Sequence, residues 1–286
     1  MPSLKQIKRR IIGVKSTSQI TRAMKMVAAA KLKRAQENME KSRPYAYKLQ
    51  DVIASLATHT GAELHPLLEV RKPERIGVVN VTSDRGLCGS FNSNICRRTQ
   101  KVLEEFASCD VELFTVGRKG YDFFKKRGAV IYHHFPGVFQ SLDFSQAASI
   151  GGEIVAQYVD GRFDRIYLVF NEFKNAVQQR IICEQLLPIV PEPVKPGWRP
   201  IDYIYEPDSV GVLGKLLPMH INIQIWHVLL ESYAAEQGAR MSAMDSATEN
   251  AMELADELTL QYNKARQNAI TKELLEIVSG AEGLKG

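Results

Sequence analysis

Residues Ile20 to Gln36 read ITRAMKMVAAAKLKRAQ. Ala, Met, Leu, Lys, Arg and Gln are all strong helix formers, and the stretch holds neither Gly nor Pro. Its apolar stripe is thin and built from small residues, while its polar face is almost entirely basic. Working outward, the same pattern covers residues 3 to about 58. Apolar or small residues fall at Leu4, Ile7, Ile11, Val14, Ser18, Thr21, Met24 (or Ala23), Val27 (or Ala28), Lys31 (or Leu32) and Ala35. Steps that alternate between three and four are those of a coiled-coil seam. Gly13 costs about 1 kcal/mol inside a helix, too little to stop one this long. Pro44 is the expected bend or break, with a second helical segment over PYAYKLQDVIASLATHT.

The other end of the chain answers in kind. From about Pro207 to Gly280, after Pro218, there is no further proline. Met241, Met244, Ala247, Ala251, Leu254, Leu258, Tyr262, Ala265 and Ala269 again step by three and four, and Leu274 and Ile277 resume the seam. Gly280 is the expected C-terminal stop. A helix of about 50 residues is about 75 Å long, wider than a compact domain of this size, so both terminal helices are expected to project. Packing on each other as an antiparallel coiled coil buries both seams. Because those seams are mostly Ala, Met and Ser, the rod would be slender and modestly stable. Two ordinary helices in a compact bundle remain the alternative.

Between the ends the period changes. GAELHPLLEVRKPER (61–75) reads as a linker. Strands are expected over IGVVNVTS (76–83), VELFTVG (111–117), AVIYHHF (129–135), RIYLVFNEF (165–173) and QQRIICEQLL (178–187). Amphipathic helices lie between the earlier ones, so the block from about 75 to 206 predicts an α/β domain with a largely parallel sheet. The last two strands are joined so tightly that they predict an antiparallel hairpin. A proline-rich run, PIVPEPVKPGWRP, closes the block. The chain thus divides into 1–60, 75–206 and 207–286.

Composition narrows the function. With 45% hydrophobic and 24% charged residues in 286, this is an ordinary folded chain. No run approaches the roughly 20 apolar residues of a membrane span, and no secretory signal or transit peptide is expected. Net charge is +5, but twelve Lys and Arg against two Glu lie between Lys5 and Arg43, leaving the remainder slightly acidic. That asymmetry points the N-terminal helix at an acidic partner. Cys88, Cys96, Cys109 and Cys183 are scattered without a CxxC pair, as befits small buried hydrophobes in a reducing compartment.

Motifs for chemistry are thin. TSDRGLCGS (82–90) sits where a strand turns into a helix, the place for a phosphate-binding loop. It is neither GxGxxG nor followed by GK[ST], so Gly86 and Gly89 are read as shaping a tight turn, with Ser90 or Asn92 as helix cap. His133 and His134 point to opposite faces of a strand, and His220 and His227 lack a metal-ligand pattern. No catalytic residue, metal site or cofactor is expected. Residues 1–43 hold no aromatic side chain, which argues against nucleic acid. A nucleotide-binding α/β enzyme with helical arms and a basic coiled-coil adaptor stay open on composition.

Three stretches carry a family resemblance: ITRAMKMVAAAKLKRAQ, VTSDRGLCGSFN (81–92) and QYNKARQNAITKELLEIVSGAEGL (261–284). With them the chain resembles, over its whole length, the γ subunits of F-type ATP synthases of the bacterial type. The resemblance implies α/β plus long helices: an antiparallel coiled coil of N- and C-terminal helices rooted in a central Rossmann-like α/β domain. It implies a central rotor shaft, one copy per complex, that couples ion flow to conformational cycling of three catalytic β subunits. The implied partners are the α3β3 hexamer, the ε subunit and the membrane c-subunit ring, at the cytoplasmic face of a bacterial plasma membrane. Thiol control of the chloroplast kind is not expected. Matching family positions, Met24 and Lys25 in AMKMVAA, Arg240 in GARMSAMDSAT, and Gln267, Thr271 and Glu273 in RQNAITKE would touch the β ring. Gly238, beside Ala239, is expected to loosen the helix near Arg240.

Overall fold

The computed structural model describes residues 3–60, 65–175, 178–190 and 209–283. Tertiary contacts divide the chain into two compact units: residues 1–27 with 241–286, and residues 28–240. Both long helices, α1 (Leu4–Thr60) and α5 (Ser209–Gly283), run from one unit into the other.

In the larger unit a five-stranded sheet has the order β3-β2-β1-β4-β5. Its strands are β1 (Arg75–Val81), β2 (Asp110–Val116), β3 (Ile131–Phe135), β4 (Arg165–Phe173) and β5 (Gln179–Leu187). The first four are parallel and β5 runs antiparallel to β4, with Phe170 opposite Ile182. β1 sits in the middle and is buried from Ile76 to Val81, which is why it reads as a continuous apolar run. Helices α2 (Phe91–Glu105), α3 (Arg118–Lys125) and α4 (Phe144–Val159) complete the block.

The pleat sorts the side chains. Val79, Val81, Phe114, Val116, Ile166 and Leu168 face α4 and the Leu213–Leu229 part of α5. Ile76, Val78, Leu113 and Val169 face α2 and α3. Two cores therefore lie on the two sides of one sheet, the layering expected of parallel strands. Gly117, between β2 and α3, has φ +85°, and a Cβ there would lie 2.1 Å from the Thr82 carbonyl oxygen, so only glycine fits.

Several expectations change. Pro44 does not break α1, because Met39 before it and Leu49 after it are both anchored in cores. Pro218 is likewise carried inside α5, next to the fully buried Leu217. Gly280 does not end α5, which continues to Gly283. The linker is more than a tether: a 3-10 turn, Pro66–Leu68, sinks Leu67 and Leu68 into the main core. Residues 61–64 and most of the proline-rich run, from 191 to 208, lie outside the described residues, as does the expected boundary at 206/207.

In the smaller unit the two helix ends pair antiparallel. Thr21 Oγ1 lies 2.7 Å from Thr248 Oγ1, and Lys25 Nζ lies 2.5 Å from Asp245 Oδ1; the chain number rises on one helix as it falls on the other. Ile7 and Thr21 are buried, with Leu4, Ile11, Val14 and Ser18 half-buried on the same stripe. On α5 the seam is Met244, Thr248, Ala251, Ala255 and Leu258. The expected seam holds at Met244, Ala251 and Leu258 and moves by one residue at two places, from Ala247 to Thr248 and from Leu254 to Ala255. Leu254 is 41% exposed while Ala255 is buried, and Met241 and Ala247 are only half-buried, because the Thr21–Thr248 bond sets the facing residues. Leu274 and Ile277 do not resume the seam; they are 57% and 67% exposed. Seventeen residues back from Thr21 reaches Leu4, and seventeen on from Thr248 reaches Ala265, so α5 outruns its partner there.

Candidate partner-contact surface and the loop after β1

The reversal of strand order between β1 and β4, which are parallel, is the place where doubly wound sheets open a ligand crevice. Here the loop over residues 82–90 is knotted to itself and to its neighbours. The Ser83 N–H donates to Asn92 Oδ1 at 2.9 Å, and Asn92 Nδ2 donates to Ser83 Oγ at 2.8 Å. The Asp84 carboxylate accepts the backbone N–H groups of Arg118, Gly137 and Phe139, so one side chain holds the segments that follow β1, β2 and β3. The Gly86 carbonyl accepts from Arg240 Nη2 at 3.2 Å. Leu87 takes φ 63° and Gly89 φ 57°, so the turn's left-handed residues are Leu87 and Gly89, not Gly86. Ser90 occupies the cap of α2 without a side-chain cap bond, and Asn92 is turned back to Ser83. The Ser83 and Asp84 side chains and the Arg85 and Gly86 carbonyls are thus engaged with the protein's own chain.

Burial governs the titratable groups nearby. It pushes the Cys88 thiol up, and it pushes Cys96 up to about 11, so both behave as packing residues. Burial also raises the Glu236 carboxyl, with Arg240 pulling the other way. His220 is buried on α5, which lowers it to about 4. His134 stacks on Tyr121 with centroids 4.2 Å apart, while His133 lies against Phe135. His227 Nε2 is 3.5 Å from Glu231 Oε1. Among the described residues no group of three His, Cys, Asp or Glu is placed to hold a metal ion.

The six residues singled out in the sequence fall into three settings. Met24 and Lys25 are half-buried on α1, and the Lys25 charge is already met by Asp245. Arg240 belongs to the larger unit and is largely buried, bonded to Glu236 at 2.7 Å and to Gly86. Gln267, Thr271 and Glu273 are exposed on the unpaired end of α5. Thr271 Oγ1 donates to the Gln267 carbonyl at 3.0 Å, placing those two on one face, whereas Glu273 lies about 160° round the helix from Thr271. α5 is unbroken through Gly238, which is buried. Sequence reading missed Glu236, although its i,i+4 spacing to Arg240 was visible, and it missed Asp84, whose three bonds come from distant segments.

A doubly wound α/β unit joined to a paired set of terminal helices defines a narrow class of protein. The ATP synthase family model matches residues 3–284. The ATP synthase gamma chain of Chlorobaculum parvum is 51% identical over 291 residues, covering 100% of both chains. That of Geotalea daltonii is 49% identical over 288 residues, again covering 100% of both. A central-stalk chain of the Tetrahymena thermophila mitochondrial ATP synthase aligns with TM-score 0.62 at 26% identity, over 80% of this chain and 99% of that one. A chain of the Euglena gracilis mitochondrial enzyme shares the fold, with TM-score 0.72 at 21% identity over 98% of this chain and 94% of that one. The chain belongs to the ATP synthase gamma-chain family, the central-stalk rotor subunits of that enzyme.

Proposed function

We propose that this protein turns within an α3β3 hexamer, bound also to ε and to the membrane c-subunit ring, and couples ion flow through that ring to conformational cycling of the catalytic β subunits. The observation that carries this reading is the full-length similarity at about half identity to bacterial gamma chains. The chain itself breaks no bond. It acts by differential contact: a lopsided helix pair presents different surfaces to three identical β subunits and biases each toward a different state. Residues 1–60 and 207–286 serve as the shaft helices, and 75–206 as the block that meets ε and the c ring. Among the described residues no helix is long and apolar enough to cross a membrane. Attachment is peripheral, at the cytoplasmic face of a bacterial plasma membrane.

Contact with the β ring is distributed. Lys5, Lys8, Arg9, Arg10 and Lys15 are all exposed on α1. Exposed ion pairs contribute about 0–1 kcal/mol each, so many of them give attraction without one deep angular trap. Met24, Lys25, Arg240, Gln267, Thr271 and Glu273 belong to this contact set. Gln267, Thr271 and Glu273 offer the most accessible polar groups, while Lys25 and Arg240 arrive with carboxylates of their own chain.

The test is affinity purification of the tagged chain from its host with identification of what accompanies it. The expected result is stoichiometric α and β subunits, lost when residues 1–20 are deleted. A chain that purifies alone, or deletion without effect on the complex, would overturn the reading.

A further inference from the structure

Between Glu231 and Arg240, α5 is bonded at three points along the end of the sheet where β1 and β4 finish and β5 begins. The Glu231 carboxylate accepts the Phe173 N–H at 2.8 Å, at the end of β4. Gln179 Nε2, at the start of β5, donates to the Ala235 carbonyl at 3.0 Å. Arg240 donates to the Gly86 carbonyl in the loop after β1. Tyr233 adds a parallel ring stack on Phe139, whose own N–H is held by Asp84. On the other side of this helix segment, Leu32, Ala35 and Met39 of α1 pack against Leu230 and Ala234.

Glu236 is the unusual member. Its side chain is only 5% exposed; Oε1 holds Arg240 at 2.7 Å, and Oε2 is buried without a hydrogen-bond partner among the described atoms. The Lys31 charge attracts it and the Asp84 charge opposes it. A buried carboxylate satisfied on one oxygen adds little stability, since desolvation offsets the attraction. It does make other settings costly. Turning α5 by one residue, about 100° about its axis, moves Glu236 and Arg240 together, since both stand on this helix, and would take Arg240 off the Gly86 carbonyl and the carboxylate away from Lys31. The apolar part of the helix contact tolerates small rotations; the bond from Arg240, held by Glu236, to the Gly86 carbonyl does not.

From this geometry we infer that Glu236 is a positioning residue: it fixes Arg240 on the Gly86 carbonyl and so locks the rotational setting of α5 on the α/β block. The inference rests on the rotor reading and gives that role a mechanical part. Torque passes between block and helix only if the helix does not turn within its seat, and Glu236 supplies the key.

The test uses the assembled ATPase complex carrying Glu236→Ala or the isosteric Glu236→Gln, with rotation followed through a probe on the α/β block and amide exchange followed by mass spectrometry. Wild-type complex that fails to rotate under ATP would sink the rotor reading itself. Given wild-type rotation, both variants are expected to widen the angular fluctuations in each pause, while ATP hydrolysis per assembled complex is kept. Peptides spanning 83–90 should exchange about tenfold faster, and those in β2 should not change. Unchanged fluctuations, or exchange that rises equally in β2 and the loop, would overturn the inference in favour of a purely structural role. If the alanine variant does not assemble, the glutamine variant decides by the same two readouts.

Discussion

Two regions of this chain bury side chains by different rules. In the α/β unit, Phe114, Ile76, Ile166 and Tyr158 are wholly excluded from water, and aromatic rings meet edge-on across the core. In the helix pair of residues 4–27 and 241–269, the buried positions are Ile7, Met244 and Leu258 together with the small or polar Thr21, Thr248, Ala251 and Ala255, and all stay slightly open. The first region is specified by volume and shape, the second by a seam and two polar pairs, Thr21–Thr248 and Lys25–Asp245. A jigsaw core resists substitution of any large piece. A seam of small residues gives close helix approach with little transfer free energy, so its register depends on polar pairs such as Thr21–Thr248.

The largest effect should come from the core. Phe114→Ala removes a ring packed on Tyr132 and Phe163 and is expected to cost about 3–5 kcal/mol, read from denaturant unfolding. A cost below 1 kcal/mol would mean that the block is no better packed than the seam.

His220 comes next, and here pH separates the regions. Burial holds it at about 4 against an ordinary 6.5. The unfolded chain therefore binds a proton between those values that the folded chain does not. Stability is complete above pH 6.5 and falls as pH drops toward 4, by about 1.4 kcal/mol per unit. In His220→Leu that slope should disappear from the pH dependence of unfolding; its persistence would place the titrating group elsewhere.

In the helix pair, Thr21→Val removes the inter-helix hydrogen bond while Thr248 keeps its bond to the Met244 carbonyl. A loss of about 1 kcal/mol is expected, with a broadened distance distribution between spin labels placed on exposed Lys15 and Glu253. A single sharp distance would show that the apolar seam alone sets register. The smallest effect belongs to Lys25→Ala. Its pair with Asp245 is about two-fifths exposed on each side, so assembly and ATP-driven rotation should change by less than about 1 kcal/mol in effective terms. Arrest of rotation by this one change would refute distributed contact.

Much of the architecture was legible because its signals are local. RIYLVFNEF announces β4 residue for residue, and the change from period-two and continuous apolar runs to steps of three and four marks where helices take over. What stayed hidden depends on partners far along the chain. Nothing near Leu254 says that Ala255 will face the other helix; Thr21, more than two hundred residues away, decides it. Pro44 reads as a break until the cores on either side are known to hold the helix straight through it. Of the residues proposed for partner contact, Gln267 and Thr271 look as exposed in the structure as in the sequence, but Arg240 does not, since it is turned in toward Glu236 and the Gly86 carbonyl.

The far end of α5 carries its own implication for how cells must handle this subunit. Ile270, Leu274, Leu275, Ile277 and Val278 are exposed on a stretch that has no companion helix among the described residues. Greasy side chains gathered on one unaccompanied tip invite sticking between copies. Synthesis in excess of the other subunits should therefore yield insoluble material, and the supply of this chain has to be matched to theirs.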